Sequence, residues 1–494
     1  MKLVQYLILC LLLSACSGSF LELYPETDLN EGNFYQSEEE YVLLANGCYI
    51  PLRNMERNIH WIIAEMVSDN TSYQNPSDGG NHLRSAIDEF RVEANNTIYS
   101  NFWVISYDGI SRCNKLLAEL ENSTVRWSSD ELRNRTEGEA LFLRALYYFN
   151  LVRQFGGVPL VLTPITSREA VGIKRSSEEA VLDQIQADLL AAVTAFSNAS
   201  GVHEDGRAGE GAARSLLGKL YLTRGNFPAA EKQLETVIGS GDYLLLPNYA
   251  DLFNPSSKDF KETIFSVQYS ETSAELANRF IFMFAPWTSR GEVTQRPSVN
   301  IRNSGSGWNQ PTQDLIDAFE PGDARYAVSI GYWTGPDWDG QTRTIPYCAK
   351  YKPPVSAPDD RAGDNFPILR YSDVLLMYAE ALNAQGRTSD AIPYVYQVRS
   401  RANLTDPLTG YNQASLAELI AAERQREFCF ENQRWYDLKR TGKALEVMAP
   451  HGVLEKSLRP YLPATSFQLE EYMLRAPIPV EQILVNQLEQ NDGY

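Results

Sequence analysis

Residues 210–240 read EGAARSLLGKLYLTRGNFPAAEKQLETVIGS, and residues 371–402 read YSDVLLMYAEALNAQGRTSDAIPYVYQVRSRA. In the first stretch Ala213, Leu216, Leu217, Leu220 and Tyr221 recur at i, i+3, i+4, i+7 and i+8, the spacing of one helix face. Gly225-Asn226 ends that helix. Pro228 then falls in the first turn of a second one, whose inner face is Ala230, Leu234, Val237 and Ile238. The later stretch repeats the plan: Leu375, Tyr378, Ala379 and Leu382, a turn at Gly386, then Ala391, Val395, Val398 and Ala402. Aligned on Gly225 and Gly386 without a gap, Gly218 falls on Ala379 and Ala230 on Ala391, small residues where two antiparallel helices approach most closely.

The spacing resembles the tetratricopeptide repeat, with pairs at about 208–240 and 366–402. Two such units are too few for a free-standing solenoid, so they are expected to pack with other helices. Leu141, Ala145, Tyr148 and Val152 form one stripe and Phe142, Leu146 and Phe149 a second beside it, which predicts a central helix over about 128–155. Helices are also predicted over 99–120, 179–196 and 416–430, and a short strand over 263–269. The expected class is mainly α: a single large α-helical domain with tetratricopeptide-like helix pairs and one irregular region. That region, about 270–364, is rich in Gly and Pro and holds Trp287, Trp308, Trp333 and Trp338. Long irregular segments on a rigid scaffold commonly carry function.

Outward from this body, composition sets limits. The 494 residues are 44% hydrophobic and 22% charged, which is globular, and 63 acidic against 44 basic residues give a net charge of -19. That balance repels phosphate backbones, so no nucleic-acid partner is expected. The first residues name a compartment. Lys2 precedes the apolar run Leu7 to Leu13, too short to span a bilayer, and Leu13-Ser14-Ala15-Cys16 is a lipobox. The sequence therefore predicts a signal peptide over 1–15, a lipidated Cys16 with a tether over 16–31, and a body over 32–494. Ser17 after the cysteine favours the outer membrane by analogy with lipoprotein sorting. Cys48, Cys113, Cys348 and Cys429 are irregularly spaced and leave two disulfides or buried thiols equally open. His60, His82, His203 and His451 are scattered, so no metal or cofactor is expected.

Several ordered blocks carry a family resemblance. They begin with Phe20-Leu21-Glu22 and Asn33-Phe34-Tyr35. Glu139-Ala140-Leu141-Phe142-Leu143-Arg144-Ala145-Leu146-Tyr147-Tyr148-Phe149 then runs on to Phe155-Gly156-Gly157-Val158-Pro159. Asp323-Ala324-Arg325, Leu369-Arg370-Tyr371-Ser372-Asp373 and Arg434-Trp435-Tyr436-Asp437-Leu438-Lys439-Arg440 follow, and Gln490-Asn491-Asp492-Gly493-Tyr494 closes the chain. The sequence resembles the SusD/RagB family of outer-membrane nutrient-binding lipoproteins over essentially the whole mature chain. It departs at Asp492, where the family commonly has Pro. The resemblance implies a non-catalytic, cell-surface lipoprotein that captures oligosaccharide or polysaccharide and passes it to a SusC-like TonB-dependent transporter. It also implies helix pairs facing that transporter and a more irregular ligand-binding side; some members bind peptide.

A pyranose offers an apolar C–H face and a rim of hydroxyls, which suit an aromatic plane beside polar groups. Trp333 and Trp338, in Gly331-Tyr332-Trp333-Thr334-Gly335-Pro336-Asp337-Trp338, are expected near the surface because turn residues flank them. Trp287 with Arg290, and Tyr73 with Asp69 and Asn70 in a polar stretch at 69–81, complete the candidate ligand residues. Trp308, Trp103 and Trp435 are expected in the interior. The cluster Glu423, Arg424, Arg426, Glu427, Glu431 and Arg434 reads as ion pairs on a helix, Glu423 with Arg426 and Glu431 with Arg434, and not as catalytic carboxylates. Two other classes stay open: a helical glycosidase, which needs only two carboxylates, and a structural surface lipoprotein whose helix pairs bind protein.

Overall fold

The computed structural model describes residues 35–74, 82–199, 206–255, 258, 261–295, 305–354 and 360–494. Four long helices come first: α1 (Glu38–Met55), α2 (Thr97–Glu121), α3 (Asp130–Phe155) and α4 (Glu178–Asn198). Helix α3 is buried on nearly every side from Gly138 to Phe155, as its two apolar stripes predict, and lies against α1, α2 and α4. Close approach needs small residues. A Cβ on Gly109 of α2 would lie 2.3 Å from the Tyr147 ring, and one on Gly138 would lie 2.9 Å from Phe196. Ser129 accepts from Leu132 N to cap the start of α3, and Gly156 ends it at φ 72°.

The helix pairs read from the sequence follow. Helices α5 (Glu210–Thr223) and α6 (Phe227–Ser240) form the first, with Asn226 capping α6 and Pro228 in its opening turn. Helices α7 (Tyr371–Ala384) and α8 (Thr388–Arg401) form the second, and α6 packs on α7. Gly218 meets Leu234 across the first pair, where an added Cβ would come within 2.7 Å. Helix α4 lies on α5 at one end of this row, and α9 (Gln413–Phe428) lies on α7 and α8 at the other. Helices α10 (Arg434–Arg440) and α11 (Ala444–Leu458) complete the longer elements. One hydrophobic cluster runs through all of these helices, from Tyr41 to Leu488, and includes Trp103, Trp308 and Trp435.

Strands are short and antiparallel: β1 (Thr71–Ser72) with β3 (Gln310–Pro311), β2 (Thr263–Val267) with β6 (Phe366–Arg370), and β4 (Ile330–Pro336) with β5 (Thr342–Cys348). The predicted strand over 263–269 is β2. The hairpin β4–β5 is a finding the sequence did not predict, and it occupies part of the region expected to be irregular.

The charged cluster differs in part from expectation. Glu423 and Arg426 pair at 2.8 Å as i, i+3 spacing predicts. Glu431 and Arg434 do not, because α9 stops at Phe428 and the chain turns through Phe430 and Asn432, both at positive φ. Glu431 instead meets Lys350 at 2.7 Å and Arg370 at 2.8 Å, while Arg434 meets Asp69 at 2.7 Å. The turn is held from below by Glu65, whose carboxylate accepts from Phe430 N and Asn432 N. Burial alone would raise the Glu427 carboxyl, but Arg401, Arg370 and Arg325 around it hold it well below the carboxylate range. Glu423, Glu427 and Glu431 each have Arg or Lys in contact, the arrangement interior ions require, while Glu65 is held by neutral donors. Cys48, Cys113, Cys348 and Cys429 are buried free thiols. The signal peptide, Cys16 and the tether lie outside the described residues, as do 75–81, 296–304 and 355–359.

Candidate functional site

Two of the candidate tryptophans reach solvent and stand on neighbouring supports. Trp287 opens a single 3-10 turn, Trp287–Ser289, and is 40% exposed; Trp338 lies at the tip of the β4–β5 hairpin and is 38% exposed. The two supports are tied together by Gln74. Its Oε1 accepts from Trp287 N at 2.7 Å, and its Nε2 donates to Thr288 Oγ1 at 3.1 Å and to Asp337 Oδ1 at 2.8 Å. The backbone donor on one side and the carboxylate on the other fix which end of the amide faces which way. Gly307, at φ 68°, lets the chain pass close to Gln74 and Trp287: an added Cβ would come within 2.9 Å of the first and 3.3 Å of the second.

At the hairpin tip Asp337 Oδ1 also accepts from Trp338 N, while Asp337 Oδ2 and Asp339 Oδ1 both meet Arg343 Nη1, at 3.0 and 2.6 Å. The Arg343 hydrogen bonds hold the Asp339 carboxyl down at about 2. Arg343 therefore pairs with both aspartates of the tip. The Trp338 indole meets the Tyr461 ring edge-on, 5.6 Å between centroids at 86°, and Tyr461 is 41% exposed. Arg290, exposed and at φ 47°, closes the turn after Trp287. The result is an open platform of rings with a polar rim, not a cavity: the clefts of about 900, 320 and 300 Å³ elsewhere in the molecule are lined by none of these residues.

Four candidates are placed differently from expectation. Trp333 is only 9% exposed, because it belongs to strand β4 and not to a turn; its indole N–H donates to Glu292 at 2.8 Å and its ring covers Gly335. Asp69, Asn70 and Tyr73 were expected on an exposed polar loop and are buried instead. Asp69 accepts from Arg434, Asn70 donates to Glu65 at 2.8 Å, and the Tyr73 hydroxyl donates to Glu89 at 2.6 Å. These polar residues have internal partners, so the polar letters at 69–73 mark an interior network. Tyr73 still supports the platform from beneath: Arg459 lies over its ring at 4.9 Å, two residues before Tyr461.

Sequence reasoning missed Gln74, Arg343 and Tyr461. Tyr461 carried a usable signal, since it sits between Pro460 and Pro463 as the tryptophans sit among turn residues. Gln74 carried none, because its role depends on three segments meeting in space.

Comparison with known proteins bears on the whole chain. Residues 295–494 match the model described as the SusD family, and residues 19–222 match the one described as starch-binding associating with outer membrane. A SusD-like protein of Formosa agariphila is 27% identical over all of both chains. The starch-binding protein SusD of Bacteroides thetaiotaomicron is 26% identical over 79% of this chain and 78% of its own. Among solved structures, a laminarin binding SusD-like protein is 27% identical, superposes with a TM-score of 0.77, and covers 93% of this chain and 100% of its own. The helical scaffold, the row of helix pairs and the matches at both ends of the chain agree: this protein belongs to the SusD family.

Proposed function

We propose that the protein captures oligosaccharide or polysaccharide at the cell surface on the platform of Trp287, Trp338 and Tyr461, and delivers it to a SusC-like TonB-dependent transporter without breaking a bond. The observation that carries this reading is that Gln74 ties together the two supports on which the exposed tryptophans Trp287 and Trp338 stand, through Trp287 N on one side and Asp337 on the other. Asp337, Arg343 and Arg290 supply donors and acceptors at the rim. Relatives named for starch and laminarin support a glucan as cargo. If each ring contributes on the order of 1 kcal/mol beyond area burial, two or three rings with hydrogen bonds give millimolar to micromolar affinity, weak enough for handover. Attachment to the outer membrane is through lipid on Cys16, with the body facing the exterior.

Hydrolysis fits the platform poorly. Retaining and inverting glycosidases alike need a pair of carboxyl groups free to face the scissile bond, and Asp337 and Asp339 at the hairpin tip are both engaged by Arg343, at 3.0 and 2.6 Å. A glycan array on the full chain, followed by calorimetry, tests the proposal. Trp287→Ala and Trp338→Ala are each expected to weaken the best ligand by about fivefold, the equivalent of about 1 kcal/mol. A glycan that binds both variants as tightly as the parent would remove the platform as the site; peptide binding in place of glycan would change the cargo.

A further inference from the structure

On another part of the molecule, the ends of α3, α5 and α10 and the C-terminal segment enclose a cleft of about 900 Å³. That is room for several sugar units. Arg153, Arg175 and Lys439 line it, and none of the three has a carboxylate within salt-bridge reach among the described residues. The three are half-buried and are held by neutral groups, whereas the buried Arg144, Arg325 and Arg370 are matched by acids. Lys439 Nζ donates to the carbonyls of Arg153 and Leu474. Arg153 donates to Phe149 O at 3.3 Å and Asn150 Oδ1 at 2.6 Å and stacks 3.8 Å from the Tyr436 ring, with Nη1 left unbonded. Arg175 donates to Gly157 O at 2.8 Å, Glu489 O at 3.0 Å and Asn491 Oδ1 at 2.6 Å.

More distant carboxylates offset the burial of these charges only in part. Burial, then the neighbouring Arg153, pushes the Lys439 ammonium down to about 7, and burial lowers Arg153 and Arg175 too. Both Lys439 and Arg153 keep partial access to the cleft, so a ligand can reach them. Of the acids that line the cleft, Glu178 is taken by Arg475 at 2.8 Å, and Asp437 by Arg424 and Arg440 at 2.8 Å each. Glu471, Glu489 and Asp492 are exposed, where water and salt screen them. Partly desolvated cations with no carboxylate in contact cost free energy that an anion of suitable size would recover.

We propose that this cleft is a second binding site, for an acidic saccharide whose carboxylate is received by Arg153 and Lys439, with Arg475 at the mouth and the Tyr436 and Tyr472 rings along the walls. The site is separate from the tryptophan platform and does not depend on how that platform is read. Calorimetry on the full chain would compare a tri-uronide, the neutral triglucoside and sodium sulfate. The tri-uronide is expected to bind saturably, at least tenfold more tightly than the neutral sugar. Arg153→Gln and Lys439→Gln should each weaken it tenfold or more, while Trp338→Ala leaves it unchanged. Arg475→Gln, on an exposed side chain, serves if either interior variant fails to fold, and should weaken binding severalfold. Absence of saturable uronide binding, equal loss in Trp338→Ala, or sulfate binding as tightly as the uronide would each overturn the proposal, the last by leaving an inorganic anion site only.

Discussion

Asp88 lies beneath the platform, where one oxygen accepts from Ser72 at 2.7 Å, the other has no hydrogen-bond partner, and Arg459 approaches no nearer than 3.9 Å. Burial pushes its carboxyl up to about 8, against which Arg459 and Ser72 pull only in part. The folded chain therefore keeps a proton that the unfolded chain releases near its ordinary value of about 3.9. Between about pH 4 and pH 8 the native state binds more protons than the unfolded state, so this residue's contribution to stability falls as pH rises through that window. Asn mimics the protonated acid. Asp88→Asn is expected to match the parent near pH 4 and to exceed it by several kcal/mol at pH 8.5, at about 1.4 kcal/mol for each unit between the folded and unfolded values, read from urea melts at several pH values. A constant offset across the range would show that Asp88 is already ionised at pH 4. The same residue scale explains why the site was only half legible. Trp333 and Trp338 sit in one run of eight letters, yet one points into the molecule and the other out. Trp333 lies within strand β4 and Trp338 beyond its end in the hairpin turn, and the Gly and Pro around them disguise where the strand stops.

Helices set the next level, and their packing rests on missing side chains. Tyr147 of α3 accepts from Leu52 N at 2.9 Å and donates to Cys48 O at 2.7 Å, which ties α3 to α1 and fixes the ring in place. Gly109 of α2 faces that ring, with no room for a methyl group. In an exposed helix Gly→Ala stabilises by about 0.5–1 kcal/mol. Here the sign reverses: Gly109→Ala is expected to destabilise by about 1–3 kcal/mol through overpacking, measured by chemical denaturation. A neutral or stabilising result would mean that the Tyr147 ring can move aside despite its two bonds. The helix pairs themselves were readable because their period, caps and turn glycines all appear within thirty residues. The end of α9 was not. Phe428 to Gln433 looks like more helix in sequence, and partners remote in the chain select the turn: Glu65 accepts from Phe430 N and Asn432 N, Tyr351 donates to Phe430 O, and Glu56 accepts from Asn432.

For the molecule as a whole, no helix among the described residues is long and apolar enough to cross a membrane, and the attachment proposed above rests on Cys16. One acyl chain holds a protein only marginally, with a binding constant of about 10⁴ M⁻¹, while two or three chains at about 0.8 kcal/mol per buried methylene hold it firmly. Cys16 in Leu13-Ser14-Ala15-Cys16 is where those chains would be added. Cys16→Ser is accordingly expected to abolish incorporation of radiolabelled palmitate and to shift the protein from the outer-membrane fraction to the soluble one. Glycan affinity of the purified body should stay unchanged, since the platform begins at Gln74. Binding and anchoring are then separable, and the variant should fail to support uptake even while its ligand site is intact. Retention of the serine variant in the outer-membrane fraction of cells lacking the partner transporter would show that something other than lipid holds the chain there.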